Sequence, residues 1–373
     1  MSKLDQFLDI SKLESLIKDG YVSRKYHNSY PLAILNYTPK AQYDESFVWD
    51  KEVIWSRGLV YCTDTLEIVA LPFPKFWNLN DTRHPETLEV NLPNETPLFL
   101  EKLDGSLGVL FAWDGLNHVA TRGSFHSEQA EWATNYVRMV YPRLQLPVGN
   151  TICVEIIYLD NKIVVNYDFE GLVVLGVVDI ATGKERVRDD VKAYCKAMGL
   201  SLVKEYKKTL SETLAENDKN REGYVLTYPS TGLKVKVKFD EYVRLHKILT
   251  GLNVRSVWEL LRDEHLDTID EWINDASMPE TFKVWVSTVK NDLFNKFITI
   301  EREVKIIFAS RPQLDQFMPY KESRKKLAEY FMQESHRKYS GLLFGLLDGK
   351  NINSMIWKMV EPSGDAVFRV DGE

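Results

Sequence analysis

The sequence predicts an α+β protein in two parts: an antiparallel-sheet domain over residues 1–243, then an all-α domain over residues 244–373. Two observations carry that division. From Tyr21 to Phe239, short runs alternate β-branched or aromatic residues with polar ones and are broken by Gly, Pro, Asn and Asp, the period of half-buried strands. From about Glu241, apolar residues recur at spacings of three and four, the period of helices. At 373 residues the chain is long enough for two cores.

In order, residues 4–19 read as a helix, with Leu4, Phe7, Leu8, Leu13, Leu16 and Ile17 on its apolar face. Residues 21–37 and 47–69 read as strands. Pro72 and Pro74 exclude a helix from the segment Pro72 to Asn80, where Phe76 and Trp77 stand beside Lys75. Two apolar runs, 97–100 and 107–113, flank Glu101-Lys102-Leu103-Asp104-Gly105-Ser106. This reads as strand, tight Asp-Gly turn, strand. Residues 107–121 form a hairpin turning at Asp114-Gly115, and a helix follows from Ser127 to Tyr141. Strands are expected over 151–157, 163–167 and 172–180, a helix over 188–198, and a polar connector over 211–220. The last β elements are 222–227 and 233–239. Helices are then expected over 281–309, 321–338 and 340–347, before a frayed end.

Composition narrows the class. Apolar residues at 44% and aromatics at 12% mark a globular chain. No run reaches the length of a membrane span, and residues 1–6 have no apolar signal core, so a cytoplasmic protein without membrane contact is expected. Cys62, Cys153 and Cys195 are widely spaced, suit no metal pattern, and read as reduced thiols. A net charge of −7 argues against indiscriminate coating of polynucleotides, although one groove can be positive on an acidic protein.

Several residues stand out chemically. A lysine at a turn between strands, partly desolvated and with cationic neighbours, would have its pKa lowered and become a nucleophile; the bland alternative is a surface hairpin. Arg57, in Ser56-Arg57-Gly58, is a rim ion pair or a phosphate fork. Glu155 lies inside an apolar strand, where a carboxylate is costly unless paired or used. Lys234, Lys236 and Lys238 alternate along one strand face, either as a solvated edge or as a row of cations over a cleft.

In their order, Lys102-Leu103-Asp104-Gly105, Arg122-Gly123, Val154-Glu155, Glu222-Gly223 and Lys236-Val237-Lys238 resemble the motifs of the covalent nucleotidyltransferases: DNA ligases, RNA ligases and capping enzymes. Ser56-Arg57-Gly58, Lys75 to Asn80, and Gly123-Ser124 with Ser127 to Ala130 are similar to the RNA ligase 1 family of T-even bacteriophages. The resemblance covers about residues 20–245 and weakens through the helical tail. Arg122 stands where that family has lysine, and Trp77 where it has phenylalanine.

The resemblance implies an ATP-grasp-like ligase domain and three steps: transfer of AMP from ATP to Lys102, transfer to an RNA 5′-phosphate, and sealing by a 3′-hydroxyl. It implies Lys102, Lys236 and Lys238 as catalytic; Arg57, Lys75, Glu101, Arg122, Glu155 and Glu222 as further nucleotide contacts; and Glu155 and Glu222 as ligands of Mg²⁺ or Mn²⁺. It also implies RNA repair, on a substrate such as a nicked tRNA anticodon loop, by a monomer working in a host cytoplasm if phage-encoded. Lys321, Arg324, Lys325, Lys326, Arg337 and Lys338 are the candidate RNA surface of the tail. The alternatives are a DNA ligase, a capping guanylyltransferase, or an RNA-binding module without catalysis. A DNA ligase would show short β segments after the lysine-rich strand, where this chain reads as helices.

Overall fold

The computed structural model describes residues 2–161, 164–276, 278–315 and 317–364. Ile163, where one expected strand begins, and the end expected to fray lie outside the described residues, the latter but for Gly364 and the residue or two before it. The chain divides into two compact units at His246/Lys247.

The first unit begins with helices α1 (Leu4–Phe7) and α2 (Ile10–Lys18), then β1 (Val22–Tyr26), β2 (Leu32–Tyr37), α3 (Pro39–Tyr43), α4 (Lys51–Trp55), β3 (Arg57–Cys62), β4 (Ile68–Ala70) and β5 (Trp77–Asn78). The helix expected over 4–19 is thus two helices, because Asp9 caps a new one by accepting from the Lys12 amide. The strand expected from residue 47 begins only at Arg57, because Asp50 caps α4 in the same way.

There follow β6 (Leu98–Lys102), β7 (Ser106–Trp113), β8 (Leu116–Thr121), α5 (Glu128–Val140), β9 (Asn150–Ile157), β10 (Gly171–Asp179), α6 (Arg188–Met198), β11 (Ser201–Leu202), β12 (Glu205–Tyr206), α7 (Leu210–Ala215), β13 (Gly223–Thr227), β14 (Lys234–Lys238) and α8 (Asp240–Gly251). The hairpin at Asp114-Gly115 forms as expected, with both residues at positive φ (50° and 71°). The segment 211–220 is no plain connector: Thr209 and Glu212 close a capping box that starts α7. Residues 164–167 form no strand; the Val164 and Val165 amides bond the Asp104 carboxylate instead of a neighbouring strand.

Three sheets order as β1-β2-β3-β4, β11-β10-β9-β7-β8 and β12-β6-β13-β14-β5. This overturns the hairpin expected around Lys102. β6 pairs with β12 and β13, while β7 pairs with β8 and β9, so Leu103-Asp104-Gly105 carries the chain from one sheet to another. Gly105 is needed for close approach rather than for a turn: a Cβ there would lie 2.5 Å from the Ile156 carbonyl oxygen. Gly105→Ala is expected to destabilise the fold by about 1–3 kcal/mol, measured by denaturant unfolding. β9 is buried along its whole length, which is why its sequence is nearly continuous in apolar residues.

In the second unit, α9 (Val254–Arg262), α10 (Leu266–Asn274), α11 (Glu280–Ala309), α12 (Tyr320–Phe331), α13 (Ser340–Leu347) and α14 (Asn353–Met359) contain no intervening strand among the described residues. Trp258 donates to the Trp357 carbonyl at 2.9 Å, and Trp357 packs on Phe294 and Phe297. The helix expected over 321–338 stops at Phe331, and a separate turn holds Arg337–Tyr339. No helix among the described residues is long and apolar enough to cross a membrane. The three cysteines are buried and free.

Candidate active site

Lys102 ends β6 and Glu222 immediately precedes β13, strands paired Lys102 to Gly223. That register places Lys102 Nζ 2.6 Å from Glu222 Oε2, while Lys238 Nζ, from β14, lies 2.8 Å from Glu222 Oε1. Gly223 must follow the glutamate, because a Cβ at its φ of 139° would meet the Val237 carbonyl oxygen at 2.0 Å. The electrostatics of Lys102 reverse the expectation from sequence. Burial pulls its pKa down, but Glu222, Glu155 and Asp104 outweigh burial and hold it above the ordinary lysine value. The ammonium is therefore charged and tethered, and its release is part of any chemistry it performs.

Lys102 faces a cavity of about 760 Å³ that Arg57, Glu101, Arg122, Glu155 and Lys236 also line. Arg57, Arg122 and Lys236 line it, and Lys75 adjoins Arg122 through Tyr37, none of the four with an ion pair among the described residues. The Arg57 guanidinium lies 5.5 Å and Lys236 Nζ 4.8 Å from the Phe76 ring. Lys75 and Arg122 both donate to the Tyr37 hydroxyl, at 3.3 Å and 2.9 Å. Burial, then mutual repulsion, lowers the pKa of Lys236 far below the ordinary lysine value. Burial also lowers Arg57 and Lys75, partly offset by Tyr37. The Tyr37 phenol shifts down, because the three cations outweigh its own burial. Desolvated cations with no counter-charge constitute an anion site. Of the three alternating lysines, Lys234 is buried against Glu185 (2.6 Å), Lys238 is held by Glu222, and Lys236 alone has no ion pair among the described residues.

The acids divide into two kinds. Asp104 is fully engaged: Oδ2 accepts from the Val164 and Val165 amides at 2.8 and 2.9 Å, and Oδ1 from the Tyr242 hydroxyl at 2.7 Å. Glu155 has no hydrogen-bonding or ionic partner among the described residues. Burial first, then Glu222 and Asp104, push its pKa up to about 8. A buried carboxylate that the nearby Lys102 and Arg57 do not suffice to keep ionised, beside a second acid, fits a divalent ion; Mg²⁺ keeps most of its waters and needs only one or two carboxylates. The described residues hold no denser acid or imidazole cluster. Because the folded state binds this proton more tightly than the unfolded chain, Glu155 costs stability as pH rises from about 4.5 to about 8. Glu155→Gln is expected to flatten that fall and to unfold at higher denaturant than the parent at pH 8.

An apolar slot completes the cavity, formed by Leu100, Leu175, Val203 and Val225. Leu175 sits at a β-bulge, between Val174 and Gly176, which re-aims it. Arg188 braces this wall by donating to the Val203 carbonyl at 2.7 Å and the Leu175 carbonyl at 3.4 Å. Glu101 lies along the cavity but spends its carboxylate on Arg221 (3.3 Å) and Tyr206 (3.3 Å). Trp77 instead stacks on His84, with centroids 3.6 Å apart.

All nine candidate residues are thus brought together, Lys75 through Tyr37, and Glu222 and Lys238 through Lys102. Sequence reasoning missed Tyr37, Tyr242, Arg188 and the slot. The only local signals were a tyrosine ending one strand and an arginine opening a helix, and neither marks a site until the strands pair.

Comparison with known proteins gives the chain relatives. It is 24% identical over 295 residues to a protein of Thermovibrio ammonificans named "Putative RNA ligase", covering 74% of this chain and 76% of that one. It is 27% identical over 280 residues to the "Putative bifunctional polynucleotide kinase/RNA ligase" of Autographa californica nuclear polyhedrosis virus, covering 66% of this chain but only 38% of that longer protein. Among solved structures, an archaeal ATP-dependent RNA ligase aligns over 91% of this chain and 96% of its own, at 15% identity and a TM-score of 0.45. The family model described as RNA ligase matches residues 55–243, which span β3 to β14 and hold all nine candidate residues, from Arg57 to Lys238. The chain belongs to this RNA ligase family, the branch typified by RNA ligase 1 of T-even bacteriophages.

Proposed function

We propose that the protein joins RNA 5′-phosphate and 3′-hydroxyl ends at the expense of ATP, through a lysyl–AMP intermediate on Lys102. The observation that carries this is the convergence of Arg57, Arg122 and Lys236, without ion pairs among the described residues, on the cavity faced by Lys102, with Lys75 joined to Arg122 through the Tyr37 hydroxyl. Such a wall suits a triphosphate, and the slot of Leu100, Leu175, Val203 and Val225 suits its base.

In the first step Lys102 Nζ passes its proton to the Glu222 carboxylate, 2.6 Å away, and attacks the α-phosphorus as the neutral amine. The N–P bond forms as the bond to the β-phosphate oxygen breaks, and pyrophosphate leaves. Once the proton has moved, burial and the neighbouring Lys236 and Lys238 favour the neutral amine. Lys236 and Arg57 offset charge developing on the phosphoryl oxygens. Lys75 and Arg122, held by Tyr37, orient the leaving phosphates in line. Glu155 and Glu222 would hold Mg²⁺ or Mn²⁺, which supplies neutralisation of phosphate charge. The AMP then passes to an RNA 5′-phosphate, and a 3′-hydroxyl displaces it. Residues 1–243 act as the adenylyltransferase domain and 244–373 as the RNA-recognition domain. In the latter, Lys321, Lys325, Lys326 and Arg337 offer cations to RNA, whereas Arg324 is paired with Asp348 and Lys338 with Glu303.

RNA repair, with a nicked anticodon loop as one substrate, is the role this chemistry suits. The test is sealing of a 5′-phosphorylated oligoribonucleotide with ATP and Mg²⁺, beside single-stranded DNA of the same sequence. RNA joined faster than DNA is the expected result. DNA joined faster, or no joining of either, overturns the assignment.

A further inference from the structure

A second cleft, of about 330 Å³, opens beyond the first and is walled by rings: His27, Tyr30, Phe111, His118, Phe125 and His126. Their arrangement is regular. His118 stacks on Phe111 with centroids 5.7 Å apart and planes 18° apart. His27 packs between Phe125 (5.1 Å) and His126 (4.7 Å). At one rim Arg138 donates to the Asn117 carbonyl (2.9 Å) and touches His118 (3.2 Å), with no ion pair among the described residues. Glu131, two turns before Arg138 on the same helix, lies 3.9 Å from His126.

The cleft continues the catalytic cavity along three elements. On β1, Ser23 and Lys25 line the cavity, and His27, just past the strand's end, lines the cleft. In the loop after β8, Ser124 faces the cavity, whereas Phe125 and His126 face the cleft. Along α5, Ser127 and Glu128 line the cavity, whereas Glu131, Thr134 and Arg138 line the cleft at helical spacing. The described side chains hold no metal-binding cluster there. His118 is pushed down to about 4, first by burial and then by Arg138, so its ring is neutral and presents a π-face.

We propose that this cleft binds a nucleobase of the polynucleotide whose end is in the catalytic cavity, stacking it on the imidazole and aromatic walls with the adjoining phosphate on Arg138 and Lys25. Stacking platforms beside isolated cations are how single strands are held without sequence readout. That the polynucleotide is RNA rests on the proposed ligase function; the cleft itself does not.

The test compares His126→Ala and Arg138→Gln with the parent, neither residue belonging to the proposed adenylyl-transfer site. Affinity for a fluorescent oligoribonucleotide is read by anisotropy without ATP, and labelling by α-labelled ATP is read separately. His126→Ala is expected to weaken RNA binding roughly tenfold. Arg138→Gln is expected to weaken it and to lower the salt slope of log K by about 0.7. ATP labelling and the thermal midpoint stay at the parent values. Unchanged RNA affinity in both variants overturns the proposal, as does a parallel loss of RNA binding and labelling, which would make the cluster structural. A parent that binds RNA through these residues yet takes no label leaves the cleft standing and fails the ligase instead.

Discussion

Glu222→Gln is expected to lose roughly 3–5 kcal/mol of stability at neutral pH, because it breaks a buried pair and leaves two ammonium groups facing each other. The carboxylate is nearly inaccessible (4% exposed) and is shared by Lys102 at 2.6 Å and Lys238 at 2.8 Å. The pH dependence follows from the signs. Burial opposes ionisation of Glu222, but the two lysines win and depress its pKa, so its contribution is present above about 4.5 and lost as pH falls through the folded value. Lys102 is raised, so its contribution is present below 10.5 and lost as pH rises through its folded value. The gap between parent and variant should be widest between those limits and close outside them. Adenylylation should slow at every pH. Its rising limb should also move to lower pH, since Lys102 loses the partner that holds its proton. Denaturant unfolding across pH and a labelling profile check both; equal stability at pH 7 would contradict the buried pair.

Lys236→Met should act in opposite directions on stability and activity. Lys236 is desolvated and surrounded by Lys75, Lys102, Arg57 and Lys238, and its pKa lies well below 10.5. A base whose folded pKa is depressed costs stability once pH falls below the unfolded value, so the parent carries a penalty at neutral pH that methionine removes. The variant should unfold at higher denaturant, while ATP-dependent labelling falls by about 10²–10³, as when one donor to developing charge is removed. A variant that is both less stable and fully active would contradict this assignment.

The order of strands and helices was legible because period and turn chemistry are local. Asp114-Gly115 forms its hairpin from two residues, and β9 shows its double burial in an unbroken apolar run. Errors arose where a tertiary partner decided. Leu103-Asp104-Gly105 looks like a hairpin turn but crosses between sheets, and the reason for Gly105 lies some 50 residues on, at Ile156. Val164 and Val165 look like strand residues, but their amides serve Asp104. The residues gathered around the cavity were legible as ordered motifs; the charge state of Lys102 was not. Nothing near Lys102 in sequence says that Glu222, 120 residues away, raises its pKa rather than neighbouring cations lowering it. Tyr37 carries no chemical mark until Lys75 and Arg122 meet on its hydroxyl.

The central claim is that Lys102 forms a covalent bond to AMP. The direct measurement is incubation of the protein, first stripped of bound nucleotide, with α-labelled ATP and Mg²⁺, then denaturation, proteolysis and mapping of the label. Acid-labile label from ATP but not GTP, on the peptide bearing Lys102 and absent from Lys102→Ala, is the predicted result. Label on another residue, or none on a folded protein that still binds ATP, would contradict the account.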